Sequence, residues 1–247
     1  MQTSWTVNGG LRMMPAEARI AHIYNVPMPT HASPAPGRTY SWLDRLIVPA
    51  DEALKTLFAP SGSSRAYPAD PHPETLTTPA LRRHSAALMR VNHAGEVAAQ
   101  ALYRGHALAS DSAATQTAML EAGSEENDHL AWCAQRIAEL EGRTSVLNPV
   151  WYAGSFVIGA LTGLAGDRTS LGFVGETERQ VVAHLDGHLG RLPEEDQRSR
   201  AIIQQMRIDE QRHGHNAMSA GGTTLPAPVR FLMQATASVM TAIARWL

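Results

Sequence analysis

Cysteine is almost absent: among 247 residues there is one, Cys133. A lone thiol excludes an internal disulfide framework and fits a reducing compartment, so the cytoplasmic side is the expected location. An excess of one charge is missing too. Lys and Arg number 21 against 23 Asp and Glu, a formal charge of −2, and nothing points to nucleic acid as a partner. The residues through Ala21 lack the apolar run and cleavage pattern of an export signal, and Glu17 interrupts what run there is. No window alternates with period two, so no sheet is predicted and the fold class is all-α. No G-x-G-x-x-G motif is found after a strand, so reducing equivalents must come from elsewhere or by direct contact with a nicotinamide.

The length suits one core with appendages and does not force two domains. Residues 1–38 are rich in Pro, Met, Ala and Thr, with Val26-Pro-Met-Pro and Ser33-Pro-Ala-Pro-Gly37, and are expected to be a disordered extension. The domain is expected over residues 39–247. It begins with a short amphipathic helix in which Trp42, Leu43, Leu46, Ile47, Leu54, Leu57 and Phe58 recur at three- and four-residue steps. A proline-, serine- and glycine-rich loop from Ser61 to Pro79 follows. Four long helices are then predicted: Pro79 to Ser110, a second capped by Asp111 or Ser112 and ending near Gly142, a third from Thr169 to Leu192, and a fourth from Pro193 to just before Gly221. A fifth, Pro228 to Leu247, closes the chain.

The chemistry lies in two copies of one short pattern. Glu126-Asn-Asp-His129 and Glu210-Gln-Arg-His213 are both Glu-x-x-His, and three helical residues turn about 300°, which puts both side chains on one face. Each match alone is weak. The repeat strengthens them: Glu96 lies 30 residues before Glu126 in the preceding helix, and Glu178 lies 32 before Glu210. Two helices giving one Glu each and two giving Glu-x-x-His is the ligand pattern of ferritin-like di-iron and di-manganese carboxylate four-helix bundles. Burying four glutamates without cations would cost many kcal/mol, so Glu96, Glu126, His129, Glu178, Glu210 and His213 are expected to hold two metal ions. Oxygen-rich donors with two imidazoles suit iron or manganese better than zinc or copper. Asp209 and Glu125 are the candidates to hold the outer nitrogens of the imidazoles. Cys133, one turn past His129, reads as a small buried hydrophobe. His93, Tyr103, His106, His188 and His215 read as packing or surface residues.

Thr144 to Gly166 is 23 residues without a charge. It is long enough to span a bilayer, yet a single crossing would put the two halves of the metal site on opposite sides. The expectation is a membrane-dipping crossover that enters one leaflet, with Trp151 and Tyr152 at the interface and glycines 154, 159, 163 and 166 giving a bent or re-entrant piece. A crossover buried against the protein is the bland alternative. The C-terminal helix, with Val229, Phe231, Leu232, Met233, Val239, Met240, Ile243, Trp246 and Leu247, is more apolar than a soluble bundle requires, which favours the membrane.

Together, Arg90-Val-Asn-His-Ala-Gly-Glu96, the Glu126 motif, the Trp151-containing insert, Thr177-Glu178 and Asp209-Glu-Gln-Arg-His213 resemble the Coq7 family over about Tyr40 to Leu247. The resemblance implies a demethoxyubiquinone hydroxylase: a monooxygenase that uses O2 and two iron ions per chain, held by the six residues named. It implies a polyprenyl quinol substrate, peripheral attachment to the cell membrane, and other proteins of ubiquinone biosynthesis as possible partners. His184 also matches a family position, but six residues past Glu178 it is rotated off the ligand face. The competing readings are iron oxidation and storage, which suits a soluble exterior rather than two adhesive apolar segments, and a non-catalytic membrane-associated scaffold.

Overall fold

The computed structural model describes residues 44–59 and 62–247. The predicted extension, residues 1–38, lies outside the described residues, as do Trp42 and Leu43. Among the described residues there are seven helices and no strand: α1 (Asp44–Phe58), α2 (Pro79–Ala109), α3 (Ala113–Glu139), α4 (Asn148–Leu164), α5 (Asp167–Leu189), α6 (Gln197–Ser219) and α7 (Ala227–Ala244). Capping chemistry sets the boundaries. Thr78 Oγ1 accepts from Leu81 N with Pro79 in the first turn, and Ser112 Oγ accepts from Thr115 N at 3.3 Å. α6 starts later than its sequence suggests. Pro193 to Asp196 forms a turn instead, and the Asp196 carboxylate caps the helix by accepting from Ser199 N at 3.0 Å.

The four long helices α2, α3, α5 and α6 share two apolar layers. One joins Leu88 and Met89 of α2, Trp132, Cys133 and Ile137 of α3, Leu185 of α5, and Ile202, Ile203 and Met206 of α6. The other joins Tyr103 and Ala107 of α2, Met119 of α3, Leu171 and Val174 of α5, and Ala217 of α6. The first layer takes the N-terminal halves of α2 and α6 with the C-terminal halves of α3 and α5; the second takes the opposite halves. Hence α2 runs antiparallel to α3, α5 antiparallel to α6, and α3 parallel to α5. A parallel neighbour needs a long return connection, which α4 supplies.

α4 lies along α2 at very short range. A Cβ on Gly159 would collide with the Leu102 carbonyl, and one on Gly105 with the Phe156 carbonyl, so only glycine permits this approach. The expectation that glycines 154, 159 and 163 bend the insert is therefore corrected: α4 is an uninterrupted 17-residue helix in which Gly159 and Gly163 serve its contact with α2, whereas Gly166, at φ 98°, turns the chain into α5. Its other face leaves Val150, Val157, Leu161 and Leu164 exposed. On α7, Phe231, Leu232 and Val239 are likewise exposed. The segment before α4 meets the segment after α7 where Val146 N donates to the Leu247 carbonyl at 2.9 Å. No helix among the described residues is long and apolar enough to cross a membrane.

One fully buried cation locks the end of the structure beyond the first apolar layer. Arg136 donates Nε to Ser199 Oγ at 2.9 Å, Nη2 to Asp196 at 2.8 Å, and Nη1 to Glu139 at 3.0 Å and to Glu74. Removing one member of such a buried pair strands the other. We expect Arg136→Met to lower the urea unfolding free energy by about 3–5 kcal/mol. Burial raises the Glu74 and Glu139 carboxyls, but their arginine partners outweigh it and hold both below the usual range. Depressed carboxylates stabilise the fold above their unfolded pKa, and that stabilisation is lost as pH falls through the folded value. The native chain should therefore lose stability more steeply than Arg136→Met as pH falls below about 4.

Candidate metal centre

Between the two apolar layers lies a polar cluster. Glu96, Glu126, His129, Glu178, Glu210 and His213 are all buried, each from the middle of its helix. Atoms of Glu96, Glu126, His129 and Glu210 fall within 4.8 Å of one another, a grouping that can hold a metal ion. His129 Nδ1 is 2.9 Å from Glu126, 3.1 Å from Glu210 and 3.7 Å from Glu96. His213 Nδ1 is 3.0 Å from Glu126 Oε1 and 3.1 Å from Glu210 Oε2. Both imidazoles thus aim Nδ1 at the shared carboxylates of Glu126 and Glu210. Glu178 stands outside the four-residue grouping and accepts the Tyr103 hydroxyl at 2.7 Å. It approaches α6 at Gly214, where an added Cβ would sit 3.2 Å from the Glu178 Cβ.

The outer nitrogens show how the two Glu-x-x-His units are cross-linked. His129 Nε2 donates to Asp209 at 3.1 Å, and His213 Nε2 donates to Glu125 at 2.7 Å. Each partner immediately precedes the motif glutamate of the opposite helix, so both sequence candidates take up the positions expected of them. Asp209 is also gripped by Arg65 Nη1 at 2.7 Å, and Glu125 by Arg212 at 2.7 Å. Arg65 arrives on a strap from the loop before α2. Ser64 N and the Ser63 and Ser64 hydroxyls donate to buried Asp128, Ser63 Oγ accepts from Trp132 Nε1 at 3.0 Å, and the Arg65 guanidinium lies 4.9 Å over the Trp132 ring.

The electrostatics are those of crowded carboxylates. Burial, then the neighbouring glutamates, push Glu96 and Glu178 well above the usual carboxylate range. Burial opposes ionisation of Glu126 as well, yet His129 and His213 overcome it and hold that carboxyl low. Both imidazoles are raised: burial works against their charge, and the surrounding carboxylates win.

Sequence reasoning passed over Tyr103, which is fully buried beside Glu178. Its signal was its position seven residues past Glu96, two turns along the same face. Arg65, Ser63, Ser64 and Asp128 gave no local signal, because their contacts span 64 residues or more. The His184 ring lies against His188 with centroids 4.0 Å apart and planes tilted by 56°, and no hydrogen bond among the described residues ties it to the cluster. His93 and His106 are buried against Asn148 and Ser170 respectively, and His215 is exposed. Cys133 is buried beside Met206, as its reading required. A groove of about 650 Å³ opens between α1 and the α2–α3 pair, and its lining includes Gly123, which packs on Tyr103.

The profile of the family described as "Ubiquinone biosynthesis protein COQ7" matches residues 83–244. The chain belongs to the COQ7 family. The match takes in all six clustered residues, whereas Arg65 and its strap precede it. Among curated relatives, the "3-demethoxyubiquinol 3-hydroxylase" of Xanthomonas euvesicatoria pv. vesicatoria (strain 85-10) is 54% identical over 210 residues, 85% of this chain and 97% of that protein. Proteins of the same name from Ralstonia pickettii (strain 12J) and Nitrosospira multiformis are 55% and 52% identical, covering 82% and 83% of this chain and 98% of each relative.

In this COQ7-family chain the Asp209 contact should govern cation affinity. We expect Asp209→Asn to weaken divalent metal binding by about 10–100-fold, with helix content unchanged by circular dichroism. Trp132, 5.4 Å from His129, supplies the fluorescence readout.

Proposed function

We propose that this chain is a 3-demethoxyubiquinol 3-hydroxylase: a ferritin-like four-helix bundle whose core holds two iron ions and uses O2 to hydroxylate the ring of a polyprenyl quinol. The observation that carries the reading is the pair of crossed Glu-x-x-His units in a chain more than 50% identical to proteins of that name. The donor set fits iron. Glu96 Oε2 is buried with no hydrogen-bond partner, and both Nδ1 atoms face carboxylates while their Nε2 atoms are engaged elsewhere. Glu96, Glu126, His129, Glu178, Glu210 and His213 would be the ligands, and Glu126 and Glu210 each lie against both imidazoles.

Bound iron supplies the electron transfer to dioxygen that no side chain can provide. In the balanced reaction a ring C–H becomes C–OH and the other oxygen atom leaves as water, with two electrons and two protons from an external reductant. The protein's own contribution is positional. Asp209 and Glu125 fix both imidazoles with Nδ1 inward. Tyr103, kept protonated by burial and by Glu178, donates to that carboxylate and sets its orientation. The apolar layers above and below exclude water.

The exposed apolar faces of α4 and α7 support peripheral attachment to one leaflet of the cell membrane, on the cytoplasmic side. A substrate with an isoprenoid tail could then reach the protein without exposing that tail, avoiding about 0.8 kcal/mol per methylene. Iron storage has no use for such faces.

The test is to load the chain with iron anaerobically, reduce it, admit O2 with a short-tailed demethoxyubiquinol, and follow the product by mass spectrometry. The native chain should add one oxygen atom. Glu178→Ala should lose activity by at least the ~100-fold that losing a supporting residue costs at other metal sites. Iron binding without hydroxylation in the presence of reductant would refute the assigned reaction and favour storage or scaffolding.

A further inference from the structure

A cation-rich corner lies apart from the metal centre, where the start of α2, the loop before α4 and the ends of α5 and α7 converge. Arg90 of α2 donates Nε to the Arg143 carbonyl at 2.6 Å and Nη1 to the Arg245 carbonyl at 3.0 Å, so one guanidinium gathers two more arginine-bearing segments. Less than two turns earlier on α2, the His84 ring donates Nε2 to the Arg191 carbonyl at 2.9 Å, bringing in a fourth. None of these four arginines forms an ion pair among the described residues. The neighbouring acids are occupied: Glu141 pairs with Arg82 at 3.2 Å, and Asp186 with Arg207. Partial burial and then Arg143 lower the Arg90 guanidinium; partial burial and then Arg245 lower that of Arg191. His184 and His188 beside them are neutral at pH 7, because burial lowers them to about 4 and about 2.

Arginine-bearing segments brought together with no ion pair to a side-chain carboxylate repel one another unless an anion joins them, and the planar donor forks of arginine suit phosphate. The rim of this corner is apolar. Val146 and Val150 at the start of α4 and Trp246 after α7 are exposed, the last by 76%. Aromatic and arginine side chains flanking apolar helix faces match the headgroup region of a bilayer, where an arginine stem lies along the acyl surface and its head meets phosphate.

We propose that Arg90, Arg143, Arg191 and Arg245 bind the phosphate of an anionic phospholipid headgroup at the edge of the apolar faces of α4 and α7. The proposal rests on reading those faces as membrane-facing. Free phosphate offers the same oxygens, but the surrounding apolar rim suits a phosphate that carries acyl chains. The site would orient the chain on the leaflet and make attachment depend on lipid charge.

The experiment is co-sedimentation of the iron-loaded full chain with vesicles of phosphatidylcholine alone, and with vesicles that also contain phosphatidylglycerol. The native chain should partition at least about 25-fold more strongly onto the anionic vesicles, and the preference should fall as salt rises. The double variant Arg143→Ser, Arg191→Ser changes two exposed side chains and should keep the native unfolding temperature. It should lose about 25-fold in partitioning onto anionic vesicles, about fivefold per arginine, with binding to phosphatidylcholine unchanged. Equal binding of the native chain to both vesicles, or an unaffected double variant, would overturn the headgroup site while leaving membrane attachment intact. If the native chain binds neither vesicle, the membrane reading fails first. Val150→Ser, Leu161→Ser should weaken binding to both vesicles alike. Inorganic phosphate, compared with chloride at equal ionic strength, should leave the preference within twofold; its abolition by phosphate would reassign the site to the free ion.

Discussion

Repulsion among four buried carboxylates is the constraint around which this structure is organised. Glu96, Glu126, Glu178 and Glu210 converge in a space from which water is largely excluded, and two imidazoles supply the cationic groups nearest to them. At such separations and in such surroundings, like charges cannot all stay ionised unless something positive lies among them. Protons can meet that need, at the expense of neutral glutamates and charged histidines. On the proposed account two divalent cations would meet it better, since four carboxylates match their charge and both imidazoles could then offer a lone pair. Activity on the proposed account is a consequence of this electrostatic demand.

The rest of the molecule keeps the crowded groups from moving apart. Apolar layers clamp the helices above and below the cluster, and each Glu-x-x-His unit is fastened to the other through Asp209 and Glu125. That crossed arrangement couples α3 to α6 directly, so neither imidazole can turn without disturbing the opposite helix. Arg65, itself partly exposed, extends the chain of contacts to the surface. Close helix contact at Gly159 and Gly214 serves the same purpose by bringing α4 onto α2 and α5 onto α6.

Much of this was legible in the sequence because the decisive signals are local. Helical periodicity places Glu126 with His129 and Glu210 with His213 whatever the tertiary structure, and the repeat at 30 and 32 residues relates the remaining two glutamates to them. Asp209 and Glu125 were readable for the same reason, being adjacent in sequence to the motif residues. Tyr103 was not, since a tyrosine on an apolar helix face has the same pattern whether it packs or donates to a carboxylate. The strap was invisible because Ser63, Ser64 and Arg65 act across the fold on Asp128 and Asp209. The glycines of α4 were misread for a related reason: in one sequence, a glycine that admits a neighbouring helix looks the same as a glycine that bends its own.

The central claim is that the cluster is built for two cations. Anaerobic titration of the metal-free chain with ferrous iron, followed by Trp132 fluorescence and checked by metal analysis after desalting, tests it most directly. The account predicts saturation at two iron ions per chain, protons released as the imidazoles give up their charge, and a higher unfolding temperature for the loaded protein. Saturation at one ion, or binding of two that leaves the unfolding temperature unchanged, would contradict it.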